Sequence, residues 1–384
     1  MKIIYNVDAI TEPLTGIGRY ALNLGQQLSQ MAQTEQNDVD DIRLFSSNRW
    51  VDDLSTAAKS NEWIAKLRQF IPIKYTALKH YHRMRSRHLT KLTEGMNDRV
   101  FHSPNFILMP FDGPSVATFH DLSFVHYRDT QPSYRLKFLD KEIPKTLDQA
   151  KHIITPSEHV RQEIITHYNY PSERITATPL GVTDQFKPRS QYQCEATLLK
   201  SGLSYRQFIL SVATNEPRKN LLRLLLAYQS LSCDLKQHYP LVLVGDSGWK
   251  NQQVKKLIEQ LKQNGEVICT GYVNQTELSH LYASATLTAF PSLYEGFGLP
   301  IIESMASATP VLTSKHSAME EVAAGHAKLV NPEDVDDIKC QLESALNDEQ
   351  WREKVSQTGV IQAQQLTWNR CALQTIEAYN KSMY

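Results

Sequence analysis

Short apolar runs that alternate with amphipathic stretches constrain this chain more than any other feature. Residues 2–7, 42–46, 99–103, 115–119, 153–155 and 175–178 read as strands, and 20–31, 134–149 and 158–167 have helical spacing between them. A second series repeats the pattern, with strands at 208–213, 241–245, 267–270, 286–290 and 311–314. Its helices fall at 221–232, 254–263, 275–283 and 301–307. Strands separated by helices cannot pair as hairpins, so they form parallel sheets covered by helices on both faces. The run Leu241-Val242-Leu243-Val244 is apolar throughout, as such doubly covered strands are.

Between the two series lies a stretch, 184–205, that holds Pro188 and a Gln/Ser/Lys mixture without a strong period. We read it as a linker. The expected fold class is therefore α/β, with two Rossmann-like, doubly wound parallel-sheet domains facing a cleft. The expected division is 1–186, 187–365 and a terminal helical segment, 366–384, that crosses back to the first domain. That last expectation has its own basis: Trp368, Ala372, Ile376 and Tyr379 share one helical face. Ligands in such sheets bind beyond the carboxyl ends of the strands.

Composition removes several alternatives. A chain of 384 residues with 41% apolar and 21% charged residues is long enough to bury large cores unaided. Its 41 basic and 41 acidic residues cancel, so no global field drives nucleic-acid binding. Five cysteines, odd in number and far apart, form no CxxC pair and no zinc spacing, as expected of reduced thiols in a cytosolic protein. The first apolar run is cut short by Asp8, unlike a signal peptide, and no window approaches the roughly 18 apolar residues of a spanning helix. Peripheral contact with a membrane stays open.

The chemistry concentrates where strands end. After the strand at 286–290 comes Pro291-Ser292-Leu293-Tyr294-Glu295-Gly296-Phe297-Gly298-Leu299-Pro300-Ile301-Ile302-Glu303. Its glycines allow close backbone approach to a ligand, and Pro300 suits a first helical turn, whose amides can hold an anion. Glu295 and Glu303 could grip hydroxyls of one extended ligand, or simply cap a tight turn. After the strand at 208–213, Arg218 and Lys219 stand where a phosphate would bind, or form a solvated charged loop. Cations for phosphates and acids for sugar hydroxyls together describe a nucleotide-sugar.

The first half is less explicit. Thr15-Gly16-Ile17-Gly18-Arg19-Tyr20 follows the first strand but lacks a full GxGxxG, since position 21 is Ala. His120-Asp121, at another strand end, reads equally as a catalytic dyad or a capping turn. Asp38-Val39-Asp40 and Asp334-Val335-Asp336 formally match a metal motif, but neither follows an apolar strand. We expect solvated surface there and no metal site. The segment 66–91 is the one strong charge asymmetry: Lys66, Arg68, Lys74, Lys79, Arg83, Arg85, Arg87 and Lys91, interleaved with apolar residues. Such a segment suits an anionic membrane surface or a solvated helical face.

Taken together, these motifs resemble retaining glycosyltransferases of family 4, on the two-Rossmann GT-B fold, and within them the mannosyltransferase-like branch of bacterial polysaccharide enzymes. The resemblance rests on Glu295-x7-Glu303, Phe119-His120-Asp121-Leu122, Glu216-Pro217-Arg218-Lys219-Asn220 and Thr270-Gly271-Tyr272-Val273. It implies that Glu295 and the amides of Gly296, Phe297 and Gly298 hold the donor sugar, and Glu303 the ribose. Arg218 and Lys219 would hold the diphosphate with the helix start at Leu299. Tyr272 would lie by the base, His120 by the sugar's C6 side, and Gly16 and Gly18 in a loop closing on the diphosphate. His120, Glu295, Arg218 and Lys219 are thus the expected catalytic residues. Many members carry a Gly-Arg pair where Ala213-Thr214 stands here, which moves the phosphate arginine to Arg218.

The resemblance implies a metal-independent transfer with no cofactor, in which the nucleotide-sugar is a substrate. GDP-mannose or a related GDP-sugar is the expected donor, with UDP-hexoses as the alternative. The expected acceptor is a glycan or lipid-linked glycan at the inner leaflet of the cytoplasmic membrane. A non-catalytic nucleotide-sugar-binding protein on the same fold is the reading from another class.

Overall fold

The computed structural model describes residues 1–12, 14–34, 38–46, 49–57, 75–212, 216–245 and 252–383. The chain divides into two compact units. Unit 1 combines Met1–Gly181 with Trp368–Tyr384, and unit 2 is Val182–Thr367.

Unit 1 holds a seven-stranded sheet among its described residues. Its strands are β1 (Lys2–Asn6), β2 (Asp41–Ser46), β3 (Arg49–Val51), β4 (Arg99–Ser103), β5 (Ser115–Thr118), β6 (His152–Thr155) and β7 (Ile175–Ala177). The spatial order is β3-β2-β1-β4-β5-β6-β7, and every pairing is parallel except the edge pair β2–β3. Ile3, Ile4 and Tyr5 on β1 and Val116 and Ala117 on β5 are fully buried, because helices cover both faces.

Unit 2 repeats the architecture with β8 (Ile209–Val212), β9 (Leu241–Val244), β10 (Val267–Gly271), β11 (Leu287–Phe290), β12 (Val311–Ser314) and β13 (Ala327–Val330). These run in the order β10-β9-β8-β11-β12-β13, all parallel. In each unit the winding reverses at one place, between β1 and β4 and between β8 and β11. Crossover loops part there and leave a crevice at the strands' carboxyl ends, which is where open α/β sheets bind ligands.

The stretch 184–205 is corrected from linker to element: it carries the helix Gln191–Ser201, inside unit 2. Gln193 Oε1 accepts the Ser190 amide at 3.0 Å, and Gly202 ends the helix at φ 64°. Only Cys194, Thr197 and Leu198 of this helix are buried, against the helix Gln275–Ser284, which is why its period is faint.

The final helix, Trp368–Ser382, belongs to unit 1. It packs on the helix Gly16–Ala32 and on β5 and β6, burying Trp368, Ala372, Ile376 and Tyr379. Tyr379 Oη lies 2.6 Å from His102 Nδ1, whose Nε2 lies 2.8 Å from Thr118 Oγ1. Thr118 Oγ1 in turn lies 3.0 Å from Tyr20 Oη. Burial, reinforced by nearby His120, pulls the His102 pKa down to about 3, so the imidazole at the centre of this chain is neutral.

Candidate functional site

At the reversal point of unit 2, two loops are bound together before any side-chain chemistry begins. The 3₁₀ turn Pro217–Lys219 follows β8 by way of residues 213–215, which lie outside the described residues. Asn220 then takes a left-handed conformation, φ 62°, and opens the helix Leu221–Gln229. Its Nδ2 donates to the carbonyls of Pro291, at 2.9 Å, and Pro332, at 2.6 Å. The Leu293 amide donates to the Arg218 carbonyl at 2.7 Å. The turn after β8 is thereby fastened to the loop after β11. The sequence motif includes Asn220, but its anchoring role was not read there.

This fastening brings Arg218, Lys219 and Glu295 together, although Glu295 is 77 and 76 residues distant in sequence. Arg218 Nη1 donates to Glu295 Oε2 at 2.8 Å, and Lys219 Nζ to Glu295 Oε1 at 2.6 Å. Arg218 Nε also reaches Glu216 at 2.8 Å, and the ammonium of Lys219 sits 5.5 Å from the centre of the Phe290 ring. All three central side chains are largely withdrawn from water. Burial alone would raise the Glu295 pKa, but the charges of Lys219 and Arg218 outweigh it, and the net shift is downward. The carboxylate is ionised between two cations and, with Glu216 paired to Arg218, the four groups cancel, so an anion takes the two cations by displacing carboxylates from them.

The rest of the acidic loop completes one wall. Gly298 has φ 104°, a conformation that favours glycine, and a Cβ there would also press on the tip of the Ile301 side chain at 2.9 Å. The helix Leu299–Ala306 starts directly after it, with Pro300 in its first turn. Glu303 lies on that helix, only 5% exposed, and Phe297 is buried beside the start. Gly296 lies between Glu295 and Phe297 in the same loop. Tyr272 is not among the residues drawn together. It stands 70% exposed beyond β10, two strands from β8, and lines a separate hollow with Lys200 and Glu277.

In unit 1, Thr15 caps the helix Gly16–Ala32 by accepting the Gly18 amide at 3.2 Å. Gly16 is open on its Cβ side, whereas a Cβ on Gly18 would meet the Ala9 carbonyl at 2.9 Å. Gly18 thus allows the helix to start close against the β1 loop. His120 is buried two residues after β5, edge-on to Tyr20, with Nε2 3.0 Å from the Pro104 carbonyl. A carbonyl only accepts, so Nε2 bears the proton. Burial lowers the His120 pKa against the opposing pull of the Pro104 carbonyl and Asp121, leaving a neutral imidazole. Asp121 Oδ1 accepts the Ser123 amide at 2.9 Å, which is the capping-turn geometry. The two Asp-x-Asp stretches have structural partners: Asp40 pairs with the Met1 ammonium at 2.9 Å, and Asp334 caps the helix Val335–Asn347.

The basic segment needs one correction. Lys66, Arg68 and Lys74 lie outside the described residues, and the helix Tyr75–Leu92 carries the rest. Lys79, Arg83, Arg87 and Lys91 face outward, with Met84 47% exposed among them. Arg85 does not join them: it turns inward and pairs with Asp8. It is two positions from Arg83 and from Arg87, and residues at that spacing lie on different faces of a helix.

Two family models match this chain. The one described as Glycosyltransferase Family 4 covers residues 14–186, and the one described as Glycosyl transferases group 1 covers residues 200–360. O-antigen chain mannosyltransferase B of Escherichia coli is 35% identical over 383 residues, covering 99% of both chains. Serotype-specific mannosyltransferase WbdA, also of Escherichia coli, is 29% identical over 292 residues, 73% of this chain and 35% of that protein. Among solved structures, sucrose-phosphate synthase from Thermosynechococcus elongatus shares the fold, with a TM-score of 0.75 and 19% identity, over 99% of this chain and 98% of that one.

Proposed function

The chain belongs to glycosyltransferase family 4, and from that membership we propose that it transfers mannose from GDP-mannose to a glycan or lipid-linked glycan in surface polysaccharide biosynthesis. The carrying observation is the Arg218–Lys219–Glu295 cluster at the reversal point of unit 2, in a chain alike end to end to an O-antigen mannosyltransferase.

Glycosyl transfer builds negative charge on the departing diphosphate. Arg218 and Lys219, held on a fastened turn, meet that charge without reorganising, which is how preorganised electrostatics accelerate such steps. Without donor, Glu295 neutralises part of their charge. A diphosphate takes over the two cations, and Glu295 and the backbone at 296–298 then accept and donate to the sugar's hydroxyls. Glu303 holds the ribose. The acceptor hydroxyl attacks from the leaving group's own face and passes its proton to the departing phosphate, so configuration is retained. His120, neutral and buried, positions the sugar rather than attacking it.

Steady-state transfer and donor hydrolysis measured across GDP-, UDP- and dTDP-sugars test this reading. GDP-mannose is expected to give the highest kcat/KM, and full activity is expected in saturating EDTA, because two side-chain cations serve the diphosphate. Preference for a UDP-hexose would replace the donor. Loss in EDTA restored by manganese would replace the leaving-group assignment.

Among the described residues no helix is long and apolar enough to cross a membrane. The outward face of the helix Tyr75–Leu92 supports peripheral contact instead. Each basic residue near an anionic surface contributes about 1 kcal/mol. Replacing Arg83 and Arg87 by Ser is therefore expected to weaken sedimentation with phosphatidylglycerol vesicles by roughly 30-fold at low salt, with GDP affinity unchanged. Equal sedimentation of variant and parent would make this face merely solvated.

A further inference from the structure

The sheet of unit 1 buries two polar side chains where apolar ones would fill the space. His102 follows Val100 and Phe101 on β4, and Thr118 follows Val116 and Ala117 on β5; both are fully buried. An apolar side chain at either place would need no partner, whereas a buried polar one does. Both are met in one chain of contacts, Tyr379 Oη to His102 at 2.6 Å, His102 to Thr118 Oγ1 at 2.8 Å and Thr118 Oγ1 to Tyr20 Oη at 3.0 Å. Tyr20 and Tyr379 are fully buried too. A neutral imidazole has one donor and one acceptor, so His102 passes an orientation from the final helix on to Thr118. A connected buried network of this kind rigidifies the segments that it joins.

What it joins is the seat of His120. Thr118 closes β5 and stands two residues before His120. His102 stands two residues before Pro104, whose carbonyl accepts from His120 Nε2 at 3.0 Å. The two strands run side by side there, with His102 opposite Val116 and Ser103 opposite Ala117. One imidazole therefore ties together the two strand ends that hold His120. The far member of the chain returns to the same residue. The Tyr20 ring stands edge-on to His120 at 4.8 Å, and the Phe106 ring stands edge-on to it at 6.1 Å. Pinning the Tyr20 hydroxyl to Thr118 fixes the first of these rings. His120 is thus held at its nitrogen from the end of β4 and at its ring by Tyr20, and both holds lead back to His102.

We propose that His102 and Thr118 are positioning residues of the transfer reaction, carrying the docking of the final helix, through Tyr379, to the placement of His120 beside the donor sugar. The proposal rests on the reading of His120 as the residue at the sugar. None of the four network residues is exposed, so they reach the sugar only through His120. The apolar stripe of the helix Trp368–Ser382 accordingly ends on a tyrosine, whose hydroxyl meets His102 Nδ1, rather than on an aliphatic side chain.

The test uses the full chain, with GDP-mannose as donor and a synthetic α-mannobiose glycoside as acceptor. Thr118→Val keeps the branched shape and removes the hydroxyl. It is expected to lower kcat by about 10- to 100-fold, the scale of a misplaced group at a reacting centre, while GDP affinity by calorimetry stays within about twofold. Thr118→Ser restores the hydroxyl and is expected to recover most of the rate. A double-mutant cycle decides between positioning and mere stability: in a His120→Ala background, Thr118→Val is expected to lower kcat by less than about twofold. The same proportional loss in both backgrounds overturns the proposal, as does parental kcat in a folded Thr118→Val protein. Should that variant fail to fold by thermal unfolding, Tyr20→Phe, which keeps the ring, enters the same cycle and is expected to lower kcat by roughly fivefold in the parent only. If His120→Ala keeps parental kcat, or the parent uses no donor, the reading of His120 falls, and nitrogen NMR of the imidazoles decides the positioning by itself. A single Nε2–H tautomer of His120 in the parent and a mixture in Thr118→Val support it; the same tautomer in both overturns it.

Discussion

A chain that ends at residue 367 is expected to lose transfer activity altogether and to melt in two steps, with the unit 1 transition at least 15 °C lower. The segment removed supplies the buried side chains Trp368, Ala372, Ile376 and Tyr379 to unit 1. Losing one large buried aromatic costs about 3–5 kcal/mol, and two are lost here with the aliphatic stripe between them. A domain's whole margin is about 5–15 kcal/mol. Loss of Tyr379 also strips His102 of its Nδ1 partner at 2.6 Å, in a site where burial keeps the imidazole neutral. Unit 2 is untouched in its core. Val182 still donates to Leu366 at 2.9 Å, and Val182 still bridges Thr367. GDP binding by calorimetry is therefore expected to survive while transfer disappears. Parental transfer rates in the truncated chain would show that the final helix is dispensable.

The alternation of apolar runs and amphipathic stretches was enough to specify two parallel sheets, because strands covered on both faces carry apolar residues pointing to each face. Some of the elements it missed escape that condition. Strand β3 is three residues at an antiparallel edge, and only Val51 of it is buried. The helix Cys233–His238 has no buried residue, and Gln191–Ser201 has three. Weak burial leaves a weak period.

The candidate site was legible by residue type but not by arrangement. Arg218, Lys219 and Glu295 stand out as a cation pair and an acid at strand ends. That the acid sits between the cations depends on the Asn220 and Leu293 hydrogen bonds, which join segments some 70 residues apart. Arg85 misled for a related reason. Counted with its neighbours it is one more basic residue, and only the position of Asp8 turns it inward.

Lys219→Ala tests the leaving-group assignment most sharply, because the structure predicts that it folds. Its ammonium is one of two cations on Glu295, at 2.6 Å, and Arg218 remains on the other oxygen at 2.8 Å. The buried carboxylate is therefore not stranded, and the melting temperature is expected to fall by only a few degrees. Removing both cations is different. An uncompensated buried charge costs about 3–5 kcal/mol, so Arg218→Ala/Lys219→Ala is expected to destabilise unit 2 outright. In the single variant one of the two cations is gone, and the charge growing on the diphosphate loses a fixed partner. Such a loss lowers kcat by about 10²–10³, with a smaller effect on KM, since the ground-state diphosphate is less in need of that partner than the departing one. Lys219→Arg keeps the charge but replaces a compact ammonium by a planar fork, and is expected to recover only part of the rate. Steady-state kinetics with GDP-mannose, alongside thermal unfolding, separate these outcomes. A folded Lys219→Ala protein with near-parental kcat would leave the diphosphate to Arg218 and the start of the helix Leu299–Ala306.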